Sequence, residues 1–214
     1  MKPAENSAKT IEVVQDAVEI PVEQHPLEPF LPANGRLLML GSFPPQQKRW
    51  CMDFYYPNYI NDMWRVMGLL FFSDAHHFVD IERKVFRKAE IVDFLNDKGI
   101  GIYDTACAVR RLNDNASDKF LEVVTPTDVE ALLSRMPACQ AIVTTGQKAT
   151  DTICVHFGIE QPKMGGRMEF CFIDPATGME RRCSLYRMPS TSRAYPLSLA
   201  KKAEAYRSMF DEIF

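Results

Sequence analysis

Four short apolar runs punctuate the chain: Leu37 to Leu40, Ile100 to Tyr103, Ala141 to Thr144 and Arg182 to Tyr186, each closing in Gly, Pro or small polar residues. Runs of this length bounded by turn residues read as strands. Between them lie stretches of helical period. One surrounds Asn61 to Phe72, a second runs from Ile81 to Leu95 with Val85, Ala89, Val92 and Phe94 near helical spacing, and a third opens after Gly146 and reaches about His156. Thr127 followed by Glu130 has the capping-box spacing and predicts a further helix start. Phe170 to Ile173 and Arg182 to Tyr186 flank Pro175-Ala176-Thr177-Gly178, which predicts a hairpin, and a helix from about Leu197 to Phe214 closes the chain. Arg110 to Lys119 reads as a polar loop.

Strand and helix in alternation predict an α/β fold, a three-layer α/β/α sandwich with a mainly parallel central sheet. In such folds the ligand site lies beyond the carboxyl ends of the strands. Those ends are Gly41-Ser42-Phe43-Pro44, Asp104-Thr105, Thr145-Gly146-Gln147-Lys148 and Met188-Pro189-Ser190-Thr191-Ser192. The domain is expected to span residues 35–214. Residues 1–34, with Pro3, Pro21, Pro26, Pro29 and Pro32, are expected to form an extended arm that reaches or wraps it.

Composition narrows the class. The chain has 214 residues, 46% of them hydrophobic, which is enough to bury a core without disulfides. No apolar run approaches the roughly 18 to 20 residues that span a bilayer, so a cytoplasmic protein with no membrane anchor is expected. The six cysteines lack the spacing of a zinc ribbon or iron–sulfur cluster and read as buried thiols, so no metal or cofactor is expected. Residues 1–34 hold two bases and six acids, so the remainder carries +1 although the net charge is -3. Arg181, Arg182, Arg187, Arg193, Lys201, Lys202 and Arg207 are clumped with Glu204 as the one acid among them, a patch suited either to phosphate or simply to solvent.

The strand ends carry a resemblance. Leu38-Met39-Leu40-Gly41-Ser42-Phe43-Pro44 is similar to the first motif of the uracil-DNA glycosylase superfamily, a strand running into a Gly-x-x-Pro turn. Met188-Pro189-Ser190-Thr191-Ser192-Arg193 resembles its second motif in the Met-Pro-Ser form of the thymine-DNA glycosylases. Tyr55-Tyr56 followed by Asn61 and Trp64 is similar to the hypoxanthine-DNA glycosylase branch. The resemblance covers nearly everything from Arg36 to Phe214. It implies a monomeric, monofunctional DNA glycosylase, a hydrolase of base excision repair that flips uracil, hypoxanthine or mismatched thymine out of DNA.

Roles follow from that resemblance. Asn61 would hold the attacking water, since Ser42 and Phe43 stand where many relatives carry Asp or Asn; an amide oxygen accepts from water but takes no full proton. Asn61 would equally serve as a helix cap together with Asp62. Gly41, Ser42, Phe43, Pro44, Tyr55, Tyr56 and Asp104 would form the base pocket, with Phe43, Tyr55 and Tyr56 the candidates to stack on the flipped base. Lys148 and the Pro189, Ser190, Thr191, Ser192, Arg193 loop would meet DNA, the loop entering the minor groove. Asp104 is the informative departure: a carboxylate only accepts, so facing uracil N3–H and O4, or hypoxanthine N1–H and O6, it must turn aside, bind protonated, or leave the carbonyl to backbone donors. It would alternatively cap the turn through Thr105 or Ala106. His25, His76, His77 and His156 fall away from the strand ends and receive no role. Two other classes stay open: a DNA-binding module of the same fold without turnover, and an enzyme on free nucleotides, the latter opposed by the lack of Gly-x-Gly-x-x-Gly or a Walker lysine motif.

Overall fold

The computed structural model describes residues 20–112 and 118–214. A five-stranded sheet forms the centre, in the order β5 (Ile100–Asp104), β2 (Leu37–Gly41), β8 (Ala141–Thr145), β10 (Glu180–Met188), β9 (Arg167–Ile173). The first four run parallel and β9 returns antiparallel at the edge. Every residue of β2, β5 and β8 is buried, which is why these strands appear in the sequence as unbroken apolar runs rather than alternating ones. The edge strand β9 alternates instead.

Helices connect and cover the sheet. They are α1 (Met63–Phe72), α2 (Lys88–Lys98), α3 (Val129–Ser134), α4 (Gln147–Phe157) and α5 (Leu199–Ile213). α5 buries Lys202, Ala203, Tyr206, Met209 and Phe210, a stripe at helical spacing that packs on α1 and β10. α4 packs on β8 and α2 on β5. α4 opens at Gly146, whose φ of 114° few side chains tolerate, so a glycine there lets the strand turn into the helix.

Three local expectations are corrected. The stretch from Ile81 to Leu95 is not one helix: β3 (Val79–Asp80) and β4 (Val85–Phe86) form a small ladder, and α2 starts only at Lys88. Asp80 closes the intervening turn by accepting the Arg83 N–H at 2.9 Å, and the buried face of α2 is Ile91, Phe94 and Leu95, of which the expected series held only Phe94. The cap of α3 is Asp128, which accepts the Ala131 N–H at 2.9 Å, while Thr127 donates to the Asp104 carbonyl at 2.7 Å. The expected polar loop from Arg110 begins as strand. β6 (Ala106–Arg111) pairs antiparallel with β7 (Leu121–Pro126) and with β1 (Val22–Gln24), making a second, three-stranded sheet; the part of that loop at 113–117 lies outside the described residues.

Of the expected arm, residues 1–19 lie outside the described residues. Residues 20–34 are laid against the domain: β1 pairs with β6, and Phe30 exchanges backbone hydrogen bonds with Ile102 of β5. No helix among the described residues is long and apolar enough to cross a membrane.

An ion pair within the β9–β10 hairpin, Asp174 with Arg181, is hydrogen-bonded to the end of α3. Asp174 accepts from the Ser134 hydroxyl at 2.7 Å and from Arg181 at 2.9 Å, and Arg181 also donates to the carbonyls of Leu133, Met136 and Cys139 past the end of α3. Ser134 first and Arg181 second hold the Asp174 carboxyl down at about 2. A carboxyl depressed by folding stabilises the native state above its unfolded value near 3.9 and loses that contribution as pH falls toward 2. Urea unfolding of the parent is therefore expected to weaken between pH 4 and pH 2 more than that of Asp174→Asn; parallel curves would remove the pair from the stability account.

Candidate active site

The register of the parallel strands sets the site. Gly41 pairs with Asp104, Leu40 with Thr144, and Met188 with Thr145, so four strands end at one level. Beyond them lies a cleft of about 560 Å³. It is lined by Gly41, Ser42, Phe43, Pro44, Tyr55, Tyr56, Asn61, Asp104, Ser190, Thr191, Ser192 and Arg193, which are all the sequence-nominated residues except Lys148 and Pro189. Lys148 is half-buried in the first turn of α4, away from the cleft, and Pro189 is buried with its carbonyl accepting the Tyr206 hydroxyl at 2.9 Å.

Asp104 sits at the cleft wall over Gly41. A Cβ on Gly41 would stand 2.2 Å from Asp104 Oδ1, closer than any real contact, so the carboxylate occupies the space that only a glycine leaves. The other oxygen, Oδ2, meets His25 Nε2 at 3.0 Å. His25 shares no sequence neighbourhood with Asp104, and β1 and the residues after it deliver its ring there. The same segment braces the Gly-x-x-Pro turn: Glu23 accepts from Arg111 at 3.0, 3.1 and 3.3 Å, and Arg111 donates to the Pro44 carbonyl at 3.1 Å.

The tyrosine pair divides in function. Tyr55 is buried, its hydroxyl donating to the Glu28 carbonyl at 2.7 Å and its own carbonyl accepting the Trp64 indole N–H at 3.1 Å. Burial above all, with the Asp104 charge second, pushes the Tyr55 phenol well above its ordinary range and keeps it neutral. Tyr56 is half-buried, and its φ of 49° is a left-handed conformation rare for a bulky residue. That backbone is held by the Trp64 ring edge at 6.1 Å and by a 2.8 Å bond between the Tyr56 hydroxyl and Thr145 Oγ1. Phe43 closes a small apolar cluster with Ala106, Val109 and Leu121.

Asn61 lines the cleft, and its Oδ1 accepts the Met63 N–H at 2.8 Å, so it caps α1 as well. Asp62 does not cap. Its carboxylate pairs with Lys202 at 2.9 Å and Arg193 at 3.0 Å, and its N–H donates to the Thr191 carbonyl at 2.9 Å. Lys202 in turn donates to the Ser192 carbonyl at 2.7 Å. The Ser190–Arg193 loop is thus strapped to the start of α1 and to α5. Arg193 keeps 60% of its side chain exposed despite the pair.

Sequence reasoning missed several of these residues. Arg49 and the exposed Ile60 line the cleft, and so do Tyr195 and Pro196. The basic Lys48-Arg49 pair just after the first motif was a usable signal for Arg49. His25 gave none, and Lys202 stood out only as one of a basic clump expected at phosphate or solvent, whereas it is buried on Asp62; each acts on a partner far away in the chain. Among the described residues, no three His, Cys, Asp or Glu side chains are grouped to hold a metal.

No protein-family model and no curated protein matches the chain. One solved structure that it resembles is the solution NMR structure of "a putative Uracil DNA glycosylase from Methanosarcina acetivorans", with a TM-score of 0.54, 20% identity, and coverage of 89% of this chain and 99% of that chain. At that identity the likeness is one of fold: a mixed α/β domain on a mainly parallel central sheet, matched over nearly the whole length of both chains.

Proposed function

We propose that the protein is a DNA glycosylase that accepts a deaminated or mismatched base (uracil, hypoxanthine or thymine) flipped out of DNA and hydrolyses its N-glycosidic bond. The observation that carries the reading is that the first-motif turn, the Tyr55–Asn61 segment, Asp104 and the Ser190–Arg193 loop, separated by up to 152 residues in sequence from Gly41 to Arg193, line one cleft. A shared fold with a protein described as "a putative Uracil DNA glycosylase", on what we take to be a three-layer α/β/α arrangement, supports it further.

In this reading the Ser190–Arg193 loop enters the minor groove and Arg193 fills the vacated stack. The base lies between the cleft's aromatic residues, Phe43 and Tyr56, where stacking contributes about 1–3 kcal/mol. A water held by the second lone pair of Asn61 Oδ1 attacks C1′. The C1′–N bond breaks, its electron pair leaves with the base, and the water proton passes to solvent. The backbone of the Gly41–Pro44 turn stabilises the departing anion. One such donor is typically worth about 2.7–4 kcal/mol.

Base release from end-labelled duplexes carrying a single uracil, hypoxanthine or mismatched thymine tests this. The parent is expected to release at least one base, and Asn61→Ala to do so about 10- to 100-fold more slowly, the cost of misplacing one reactant. A second reading, a binder without turnover, is favoured by the Asn61 oxygen being already bonded to the Met63 N–H. Salt-sensitive duplex binding with no release from any substrate would select it.

A further inference from the structure

His25 is an unusual neighbour for a cleft carboxylate. Its side chain is 2% exposed and enclosed by the rings of Tyr103 at 4.5 Å, Phe43 at 5.3 Å and Tyr55 at 6.3 Å. Both ring nitrogens are engaged. Nε2 meets Asp104 Oδ2 at 3.0 Å, and Nδ1 lies 2.7 Å from the Leu27 carbonyl and 3.1 Å from the Leu27 N–H. An ionised carboxylate has no proton to give, so Nε2 carries the hydrogen. Nδ1 then has a partner in either state of the ring, donating to the Leu27 carbonyl when protonated and accepting from the Leu27 N–H when bare. The imidazole can gain or lose a proton without releasing Asp104.

This geometry removes half of Asp104 from the substrate's reach. Oδ2 belongs to His25, and Oδ1 lies over Gly41, itself a lining residue of the cleft. One acceptor cannot satisfy both the ring N–H and the adjacent carbonyl of a lactam base, but it suits the ring N–H alone. Cytosine N3 and adenine N1 carry a lone pair at the corresponding place and would face the carboxylate with like sign.

We propose that His25 is a positioning residue for base recognition: by holding Oδ2 it fixes the Asp104 carboxylate and sets Oδ1 as a lone acceptor for the ring N–H of a lactam base, uracil N3–H or hypoxanthine N1–H. This rests on the glycosylase reading of the same cleft. The titratable groups packed around the pair are Tyr103 on β5, Tyr55 before α1, Cys107 on β6 and Glu28 on His25's own segment. Burial drives the Tyr103 and Tyr55 phenols upward, so neither titrates with the pair.

The test compares the parent with His25→Phe, which keeps a ring and loses the donor, and His25→Gln, which keeps a donor and loses the titration. Base release from uracil and hypoxanthine oligonucleotides is followed from pH 4 to 9, and the Asp104 carboxyl is titrated by carbon-13 NMR in the protein without DNA. His25→Phe is expected to lower kcat/KM about 10- to 100-fold, the range for a hydrogen bond to a charged group. Its acid limb and the Asp104 titration both move to higher pH, because losing a donor disfavours the carboxylate. His25→Gln restores most of the rate. If the parent releases base and His25→Phe keeps its rate and acid limb, the positioning role is overturned and the glycosylase reading stands. A parent that releases no base overturns the glycosylase reading and with it the recognition role, whereas an Asp104 titration that does not move on replacing His25 overturns the pairing itself, whatever the activity.

Discussion

Asp62→Ala is expected to destabilise the fold by about 3–5 kcal/mol, the usual result of removing one partner of a buried ion pair. Asp62 is 2% exposed and Lys202 0%, and they meet at 2.9 Å. Without the carboxylate the ammonium keeps one acceptor, the Ser192 carbonyl at 2.7 Å, in a site that water does not reach. Arg193, already largely exposed, turns to solvent at little cost. For a domain of this size the change corresponds to a fall in Tm of about 10 °C. The double variant Asp62→Ala with Lys202→Met is expected to recover much of the loss, because an apolar side chain of similar length needs no counter-charge. Urea unfolding of the two variants checks both statements. A single-variant loss below about 1 kcal/mol would mean that Lys202 is held by something other than Asp62. Because the same carboxylate straps the Ser190–Arg193 loop to α1 and α5, the proposed function adds weaker duplex binding to the lost stability.

If the protein is the glycosylase proposed, Gly41→Ala is expected to reduce base release by more than about 100-fold, the scale on which a displacement of about 1 Å at a reacting centre is felt. The new Cβ would sit 2.2 Å from Asp104 Oδ1. A long side chain would swing away, but Asp104 is short and pinned through Oδ2 by a buried histidine, so relief requires breaking the 3.0 Å bond to His25 or shifting β5 against β2. The two outcomes differ. Rotation of Asp104 leaves the fold intact and makes the variant resemble Asp104→Ala, with the Gly41→Ala, Asp104→Ala double variant no worse than either. A shift of β5 appears as a lowered Tm that Asp104→Ala relieves. Base release within tenfold of the parent would show that the carboxylate and Gly41 do not form one recognition unit.

Much of the architecture was legible because it depends on local pattern. Fully buried parallel strands leave unbroken apolar runs, as at Leu37 to Leu40 and Ala141 to Thr144, and a parallel sheet directs attention to its carboxyl ends. The turn at Gly41 to Pro44 and the Pro189 to Arg193 loop were nominated from those ends and the Tyr55-Tyr56 pair from the family resemblance; they line one cleft, with Pro189 and the strand-end residue Lys148 outside it. The helix read from Ile81 failed because Val85, Ala89 and Val92 imitate a period that the buried Phe86 and the Asp80–Arg83 turn override.

Tertiary structure alone decided how the site is held. His25 reaches Asp104 across 79 residues, Lys202 reaches Asp62 across 140, and Glu23 reaches Arg111 across 88. Side chains carry local preferences for helix, strand and turn, and these are what a sequence displays. Which charge is paired depends on packing instead: two groups far apart in the chain meet only when burial of their surroundings has brought their elements together. The sequence by itself determined the strands of the central sheet, their ends and the residue types offered there, while β1, β3, β4, β6 and β7 left no pattern that was read. The fold decided that one oxygen of Asp104 is occupied by a histidine from the N-terminal segment, and that the loop beside it is anchored by a buried lysine.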